Sequence, residues 1–405
     1  MAKTVADREI LQAIYDSHNF VRSWNTQHTS LSNLVALLKN RLFFLLHEID
    51  DEKSVYTVFE VLNSRGLDVS WIDRLKSILM GAAFDLKKAN NSGIISDLHK
   101  CWRDIYSVIG LRQGLSTEAL RFAATLFASQ SPNRPLGEQD SVELLKSIAV
   151  DAKQIRRVAN WLLEVSRACD VVTANPRLNA VTRISQARLL AAAILLRADI
   201  TSKQRDILLA RWEKVTFRIY GMLSYDARTG VGEYVRLAWR VINEKLSVRD
   251  ISEAIGLIGK EYSIEEATEN LRGANCYEGW EGELRYFMFR YEEHLAKKEG
   301  LNFRNEQWEK IWMVSPADSI EHIWAKSVAT EKYRHCIGNL VLLPPRLNSK
   351  LQDDAPKDKA VAYRQTGLLI AGKVADSIAS EGWKAKTIKE REDTLLKWAS
   401  TEWAD

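Results

Sequence analysis

The fold of the C-terminal part is decided by three successive pieces of sequence: Asp318-Ser319-Ile320-Glu321-His322-Ile323-Trp324, His335-Cys336-Ile337-Gly338-Asn339-Leu340-Val341-Leu342-Leu343 and Arg346-Leu347-Asn348-Ser349-Lys350. The first piece places an acid beside a histidine. The second contains a short apolar run between Gly338 and Pro344-Pro345, which predicts a strand. In the third, Asn348 opens a predicted helix. The order predicts a small α+β unit that carries an acid, a histidine and two amides.

These residue types suit the hydrolysis of a phosphodiester, which needs an activated water, a counter-charge for the phosphorane and help for the leaving oxygen. A neutral histidine can activate the water, and a divalent metal ion can supply the other two. Magnesium prefers oxygen ligands and keeps several waters. We therefore predict that His322 is the general base and that Glu321 and Asn348 bind one Mg²⁺ or Mn²⁺ ion.

Asn339 is predicted to support this site as a brace. Neighbouring side chains on an extended segment point to opposite sides, so Glu321 can face the metal while His322 faces the water. Asn339 can hydrogen-bond the loop that carries His322 and hold the imidazole orientation. We therefore count it, with His322 and Asn348, among the catalytic residues. The alternative is that His322 is a packed or capping histidine and that Asn348 is only a helix N-cap.

The formal net charge of the 405-residue chain is only +4, so any contact with DNA must come from a local patch. Basic residues surround the predicted site in the sequence. We predict that Lys326, Arg346, Lys350 and Lys359 contact the DNA backbone. The alternative is a solvated face, since aspartates between positions 353 and 358 dilute the positive charge.

Composition narrows the class of protein further. The apolar runs are too short for a membrane span, and the N-terminus lacks the apolar core of a signal peptide, so we expect no membrane partner and a cytoplasmic location. The four cysteines form no CxxC pair, which predicts reduced thiols and no structural zinc. No Gly-x-x-x-x-Gly-Lys-Ser/Thr loop occurs, so we expect no nucleotide cofactor.

The length predicts two domains, and the texture of the sequence changes near residue 273. Residues 1–272 have apolar side chains at helical spacing and few prolines, whereas residues 273–405 are mixed. A cap at Thr201 or Ser202 predicts a helix start. Further helices are predicted over 145–172, 185–197, 248–262, 263–271, 283–298, 358–366 and 388–403, and a strand over 338–343.

The C-terminal motifs resemble the GmrSD-like restriction endonucleases, which attack phage DNA with modified bases. The similar residues are Glu321-His322-Ile323, Ile337-Gly338-Asn339-Leu340-Val341-Leu342-Leu343, Leu347-Asn348, Lys359 with Tyr363, and the closing Trp383, Ile388, Arg391 and Trp398. The resemblance implies a His-Me finger (HNH) nuclease with His322 as base and Asn348 at the metal. One departure is Trp324-Ala325, where that family often has a proline soon after the histidine.

A second resemblance lies in the N-terminal half. The run Val58-Phe59-Glu60-Val61-Leu62-Asn63-Ser64-Arg65-Gly66-Leu67-Asp68-Val69-Ser70, with Asp73 to Ser77, looks like the late signature of that family's N-terminal domain. It implies a role for Asn63, Arg65 and Lys76 near nucleotide or modified DNA; the alternative is a tight helix-turn-helix corner. The family's Asp-Gly-Gln-Gln-Arg section does not occur here. We expect it on a separate polypeptide, unless the chain is a truncated product.

The sequence therefore predicts a mainly α fold: a helical N-terminal domain, residues 1–272, followed by a small α+β His-Me finger (ββα-metal) nuclease domain, residues 273–405. The predicted function is metal-dependent endonucleolytic cleavage of foreign phage DNA, including DNA with modified bases. One alternative is a non-catalytic DNA-binding or interaction subunit whose protein partner carries the missing nucleotide-handling section. Another is a nuclease directed at RNA, because the motif does not discriminate between sugars.

Overall fold

The computed structural model describes residues 2–28, 30–43, 48, 58, 70–86, 93–181, 183–303 and 306–404. The chain divides into two compact units, Met1–Val171 and Val172–Asp405. This division differs from the predicted boundary near residue 273, which falls inside the second unit. Most of the N-terminal signature, including Asn63 and Arg65, lies outside the described residues, so its predicted role stays a prediction.

The first unit is built from helices. They are α1 Val5–His28, α2 Leu31–Arg41, α3 Trp71–Asp85, α4 Ile94–Ile109, α5 Gln113–Phe127, α6 Glu138–Ile148 and α7 Ala152–Ala174, the last of which runs three residues past the unit boundary.

The second unit is also mostly helical. Its elements are α8 Pro176–Val181, α9 Ser185–Leu196, α10 Ser202–Thr216 with a π-helical continuation Phe217–Met222, α11 Val231–Asn243, α12 Val248–Gly259, α13 Ile264–Leu271, α14 Glu281–Lys298, α15 Glu306–Trp312, α16 Pro316–Ser319, β1 Ile320–His322, α17 Glu331–Arg334, a 3₁₀ turn Ile337–Asn339, β2 Leu340–Leu342, α18 Pro345–Leu351, α19 Pro356–Gln365, α20 Leu369–Glu381 and α21 Ala385–Glu402. The mainly α fold is confirmed.

The two described strands form one antiparallel ribbon. Ile320 lies opposite Leu342, Glu321 opposite Val341 and His322 opposite Leu340. Every residue of both strands is buried. Side chains alternate along a strand, so Glu321 and His322 leave β1 on opposite faces, and each meets a different set of neighbours.

Helices that are predicted from local sequence features, such as an apolar pattern or an N-cap, match the predicted ranges closely. α9 is apolar nearly all round, and most of its residues are buried, as expected for a central helix. Thr201 caps α10 in a capping box with Gln204. Ser263 caps α13, where its side chain accepts a hydrogen bond from the backbone N–H of Glu266 at 3.1 Å. The predicted central helix, the predicted cap at Thr201 and the predicted helix over 263–271 are confirmed.

Other elements differ from the predicted ones. The single helix predicted over 145–172 is two helices, because Asp151 starts α7 by accepting a hydrogen bond from the N–H of Gln154 at 2.7 Å. Helix α18 begins at Pro345, so Asn348 lies inside it and is not its N-cap. Helix α20 was not predicted. Its first N–H groups, on Leu369 and Ile370, are bound at 2.7 and 2.8 Å by the carboxylate of the distant Glu292.

The apolar residues of the second unit gather behind the ribbon. Helix α14 packs against β2 and carries Phe287, which contacts Trp398 and Trp403 of the C-terminal segment at ring-centroid distances of 5.2 and 5.1 Å. All three of these aromatic side chains are buried. The last helix, α21, packs on the 3₁₀ turn that precedes β2. None of the described helices has both the length and the apolar content needed to cross a membrane.

Gly338 marks the closest approach between that turn and α21. A Cβ at this position would lie 2.3 Å from the backbone oxygen of Ile388 and 3.1 Å from Cβ of Glu392. The backbone oxygen cannot rotate away as a flexible side chain would. Arg391 fixes the same contact, because its Nη1 donates to the backbone oxygens of Ile337 and Gly338 at 3.0 and 2.8 Å.

We expect Gly338→Ala to lower the free energy of unfolding by about 1–3 kcal/mol, because the added methyl forces α21 away from the turn. The matched control is Gly372→Ala inside α20, where a Cβ meets no atom within 4 Å. That control is expected to be neutral or to stabilise by about 0.5–1 kcal/mol. Urea unfolding of the two variants measures both effects, and equal stability would contradict the close approach.

Candidate functional site

His322 ends β1 and faces a small cluster of aromatic and basic side chains. Its Nε2 lies 3.0 Å from Nδ1 of His335, which is within hydrogen-bond distance. The ring of Tyr277 meets His322 edge-on at 4.6 Å and stacks on His335 at 5.3 Å with an interplanar angle of 11°. Lys326 lies over the Tyr277 ring, with its Nζ 5.0 Å from the ring centroid.

The environment of His322 favours the neutral imidazole. Burial is the largest cause and lowers the pKa of His322 to about 3, with further lowering by His335 and by the cations Lys326, Lys359 and Arg334. Burial also lowers the pKa of His335, against the opposing effect of Glu278. A neutral imidazole carries one lone pair that can accept a proton. His322 therefore has the lone pair that a general base needs, but so low a pKa makes it a weak base at neutral pH.

Glu321 lies on the other face of β1, in a buried ion pair. Its Oε1 is 2.6 Å from Nζ of Lys359, whose side chain is 0 % exposed, and it also accepts a hydrogen bond from the Tyr363 hydroxyl at 3.1 Å. Burial raises the pKa of the Glu321 carboxyl, and the Lys359 ammonium opposes this rise. Lys359 also donates to the backbone oxygen of His322 at 2.9 Å.

This position corrects the expectation that Lys359 contacts the DNA backbone. Its ammonium is enclosed beneath β1 and is already bound to Glu321 and to the backbone of His322, so it has no path to a phosphate. The other three predicted DNA contacts, Lys326, Arg346 and Lys350, are exposed. Arg346 and Lys350 lie one turn apart on α18, and no carboxylate among the described residues pairs with them or with Lys326.

Asn339 is fully buried, and its amide joins three segments. Its Oδ1 accepts hydrogen bonds from the backbone N–H of Trp324 at 2.8 Å and from the indole of Trp383 at 3.1 Å. Its Nδ2 donates to the backbone oxygens of Trp324 at 3.0 Å and Arg334 at 3.1 Å. The amide therefore holds the segment immediately after His322.

Asn348 is attached to the start of β1. Its Nδ2 donates to the backbone oxygens of Asp318 at 2.9 Å and Ile320 at 3.2 Å. These bonds turn Oδ1 away from the strand, and no partner for Oδ1 occurs in the described part of the chain. The structure thus brings Asn348 to the strand that carries Glu321 and His322, but it does not pair its side chain directly with either of theirs.

The chemistry of the predicted ligands suits an ion that needs few protein ligands. Among the described residues, the contacts of the Glu321 carboxylate fall on Oε1, while Oε2 and Oδ1 of Asn348 are oxygens of the kind such an ion prefers. A carboxylate and an amide oxygen suit Mg²⁺ or Mn²⁺, which keep several waters. Within the described residues no cluster of three or more His, Cys, Asp or Glu is placed to hold a metal.

Two members of the His322 cluster were not predicted as site residues. They are His335 and Tyr277. A second histidine directly before the Cys336-Ile337-Gly338-Asn339 run is the one local signal in the sequence. Tyr277 has no such signal, since it reaches the cluster through a loop that precedes α14.

Together these features define a mainly helical protein in which a two-stranded ribbon and the following helix present a histidine, a carboxylate and two amides, a set suited to hydrolysis. Residues 262–398 match the model of a known family, the C-terminal domain of the GmrSD restriction endonucleases. This match, over about a third of the chain, confirms the resemblance drawn from the sequence motifs. No curated protein matches the chain.

We expect Asn339→Asp to lower the free energy of unfolding by about 2 kcal/mol or more. The substituted oxygen would face the backbone oxygens of Trp324 and Arg334 and would leave both without a donor in the interior. The same substitution at the exposed Asn302 is the control and should change stability by no more than about 0.5 kcal/mol. Thermal unfolding measures both variants, and similar melting temperatures would remove Asn339 from its central role.

Proposed function

We propose that the protein is a metal-dependent endonuclease that acts on DNA. The observation that carries the proposal is the placement of the buried His322 at the end of β1, with Asn339 holding the following segment, inside residues that match a restriction endonuclease domain. Enzymes of such families hydrolyse phosphodiester bonds and generally use divalent metal ions. The His-Me finger class, a phage target and base modification are finer proposals that rest on the sequence motifs.

In this mechanism His322 accepts the proton of the attacking water through a ring nitrogen lone pair. Glu321 and Asn348 would hold one Mg²⁺ or Mn²⁺ through Oε2 and Oδ1. When bound, that ion supplies positive charge for the phosphorane and for the leaving oxygen. Lys359 donates a hydrogen bond to the backbone oxygen of His322, and Asn339 holds the segment that follows. The backbone that carries the imidazole therefore has little freedom to move.

The DNA backbone is proposed to lie along the exposed cations of α18 and the loop after β1. Arg346 and Lys350 lie on the exposed side of the short helix whose other side turns Asn348 toward β1, and Lys326 lies beside the Tyr277 ring near His322. Cations in such positions hold phosphates without reading sequence. The predicted protein partner stays a prediction, because no described contact bears on it.

The first test is cleavage of plasmid DNA, and of DNA with modified bases, in the presence of Mg²⁺ or Mn²⁺. We expect His322→Ala to reduce the cleavage rate by about 10²- to 10⁴-fold, the usual contribution of a general base. The control is His99→Ala, at an exposed histidine of the first unit. EDTA should abolish cleavage by the unsubstituted protein. Equal cleavage by the His322→Ala and His99→Ala proteins would end the assignment.

A second test measures DNA binding in a His322→Ala background, where the DNA is not consumed. Adding Arg346→Ala and Lys350→Ala should weaken binding to all sequences alike. The slope of log affinity against log salt should shrink by about 0.9 for each phosphate that the protein no longer neutralises. Lys203→Ala with Lys260→Ala removes two exposed lysines outside the matched segment and serves as the charge-matched control. Equally weakened binding in both double variants would show that α18 is not the contact surface.

A further inference from the structure

His322 can act as the proposed base only if the hydrogen bond between His322 and His335 runs in one of its two possible directions. Their facing nitrogens, Nε2 of His322 and Nδ1 of His335, lie 3.0 Å apart. A neutral imidazole carries one N–H and one lone pair, and a contact of 3.0 Å leaves room for a single proton between the facing nitrogens. One ring must therefore donate to the other.

The two possible arrangements differ in what they leave on His322. If His335 donates, Nε2 of His322 is an acceptor already in use and its Nδ1 carries the proton, so the ring has no free lone pair. If His322 donates through Nε2–H, its Nδ1 keeps a free lone pair. Only the second arrangement allows His322 to accept a proton from water.

The protein holds His335 firmly enough to act as this acceptor. Its backbone oxygen accepts a hydrogen bond from the N–H of Cys276 at 2.9 Å, which ties its loop to the one that carries Tyr277. The Tyr277 loop is shaped locally, because Oδ1 of Asn275 accepts hydrogen bonds from the N–H groups of Tyr277 and Glu278 at 3.1 and 3.0 Å. Tyr277 then stacks on His335 and contacts the edge of His322.

We propose that His335 is a positioning residue: its Nδ1 accepts a hydrogen bond from Nε2–H of His322 and so fixes the tautomer in which Nδ1 of His322 is free to take the proton of the attacking water. Tyr277 supports both rings by contact. This inference rests on the proposed function for its consequence, but the tautomer itself can be measured without any activity.

The direct measurement is the ¹⁵N and ¹H spectrum of the full chain labelled at histidine nitrogens, recorded near pH 7 without DNA or metal. The His322 signals are assigned by their disappearance in His322→Ala. We expect His322 to be protonated at Nε2 and unprotonated at Nδ1. The opposite tautomer, or a charged ring, would overturn the proposal, and this result needs no His335 variant to fold.

Two substitutions of His335 then test the consequence. Asn places an amide oxygen close to the position of Nδ1 and keeps an acceptor, whereas Leu removes it. We expect His335→Leu to lower kcat by about 10- to 100-fold with KM little changed, the usual effect of removing a residue that orients a catalytic group. His335→Asn should recover most of that activity, and His99→Ala, at the exposed histidine of the first unit, should stay close to the unsubstituted rate.

Failure of this inference is distinguishable from failure of the proposed function. If His322→Ala cleaves DNA as well as the unsubstituted protein, the proposed function is wrong, whatever tautomer His322 shows. If His322→Ala is inactive while His335→Leu keeps full kcat, or while Asn and Leu at 335 are equally impaired, only the role of His335 is wrong.

Discussion

The buried amide of Asn339 is the interaction on which the geometry of the site depends. A primary amide has two N–H donors and an oxygen with two lone pairs, and all four are used, on the backbone of Trp324 twice, on the backbone of Arg334 and on the indole of Trp383. An aspartate lacks the donors, and a leucine lacks both functions. The segment after His322, the end of α17 and the loop before α21 are therefore joined by this one side chain.

Lys359 performs a related task from the other side of the ribbon. Its ammonium neutralises Glu321 and also binds the backbone oxygen of His322, so one side chain fixes both neighbours in the pair. Buried ion pairs often add little net stability, because desolvation offsets their attraction. The pair is better understood as positioning. It fixes Oε1 of Glu321 and leaves Oε2 available, while it removes one way in which the backbone of His322 could shift.

Local signals in the sequence predicted much of the fold. The all-round apolar pattern of α9, the Thr201–Gln204 capping box and the Ser263 cap act within a few residues of themselves, so they can be read without knowing the fold. Helix α20 has no such local cap. Its first N–H groups are bound by Glu292 of α14, a partner supplied only by tertiary packing.

The candidate site shows the same division between features set by local sequence and features set by tertiary packing. The order of Glu321, His322, Asn339 and Asn348 gave the candidate residues, because residue types and their order are local information. The burial of Lys359 could not be predicted from the sequence. A lysine on a helix is normally exposed, and its partner Glu321 lies on a strand far away in the chain. The pairing of His322 with His335 likewise depends on the ribbon closing, which brings the ends of two loops together.

The low pKa of His322 makes it a weak base in the free protein, and bound DNA would raise that pKa. A base works best when its pKa lies near the working pH, but burial, His335 and the nearby cations lower the pKa of His322 to about 3 in the free protein. The low pKa secures the lone pair, yet it weakens the driving force for proton transfer. A phosphate held by Lys326 would bring negative charge close to the ring, and a nearby negative charge raises the pKa of an imidazole. In the proposed complex, a phosphate paired with Lys326 would offset the part of this lowering that Lys326 causes, so His322 would be a stronger base with a phosphodiester bound than without one.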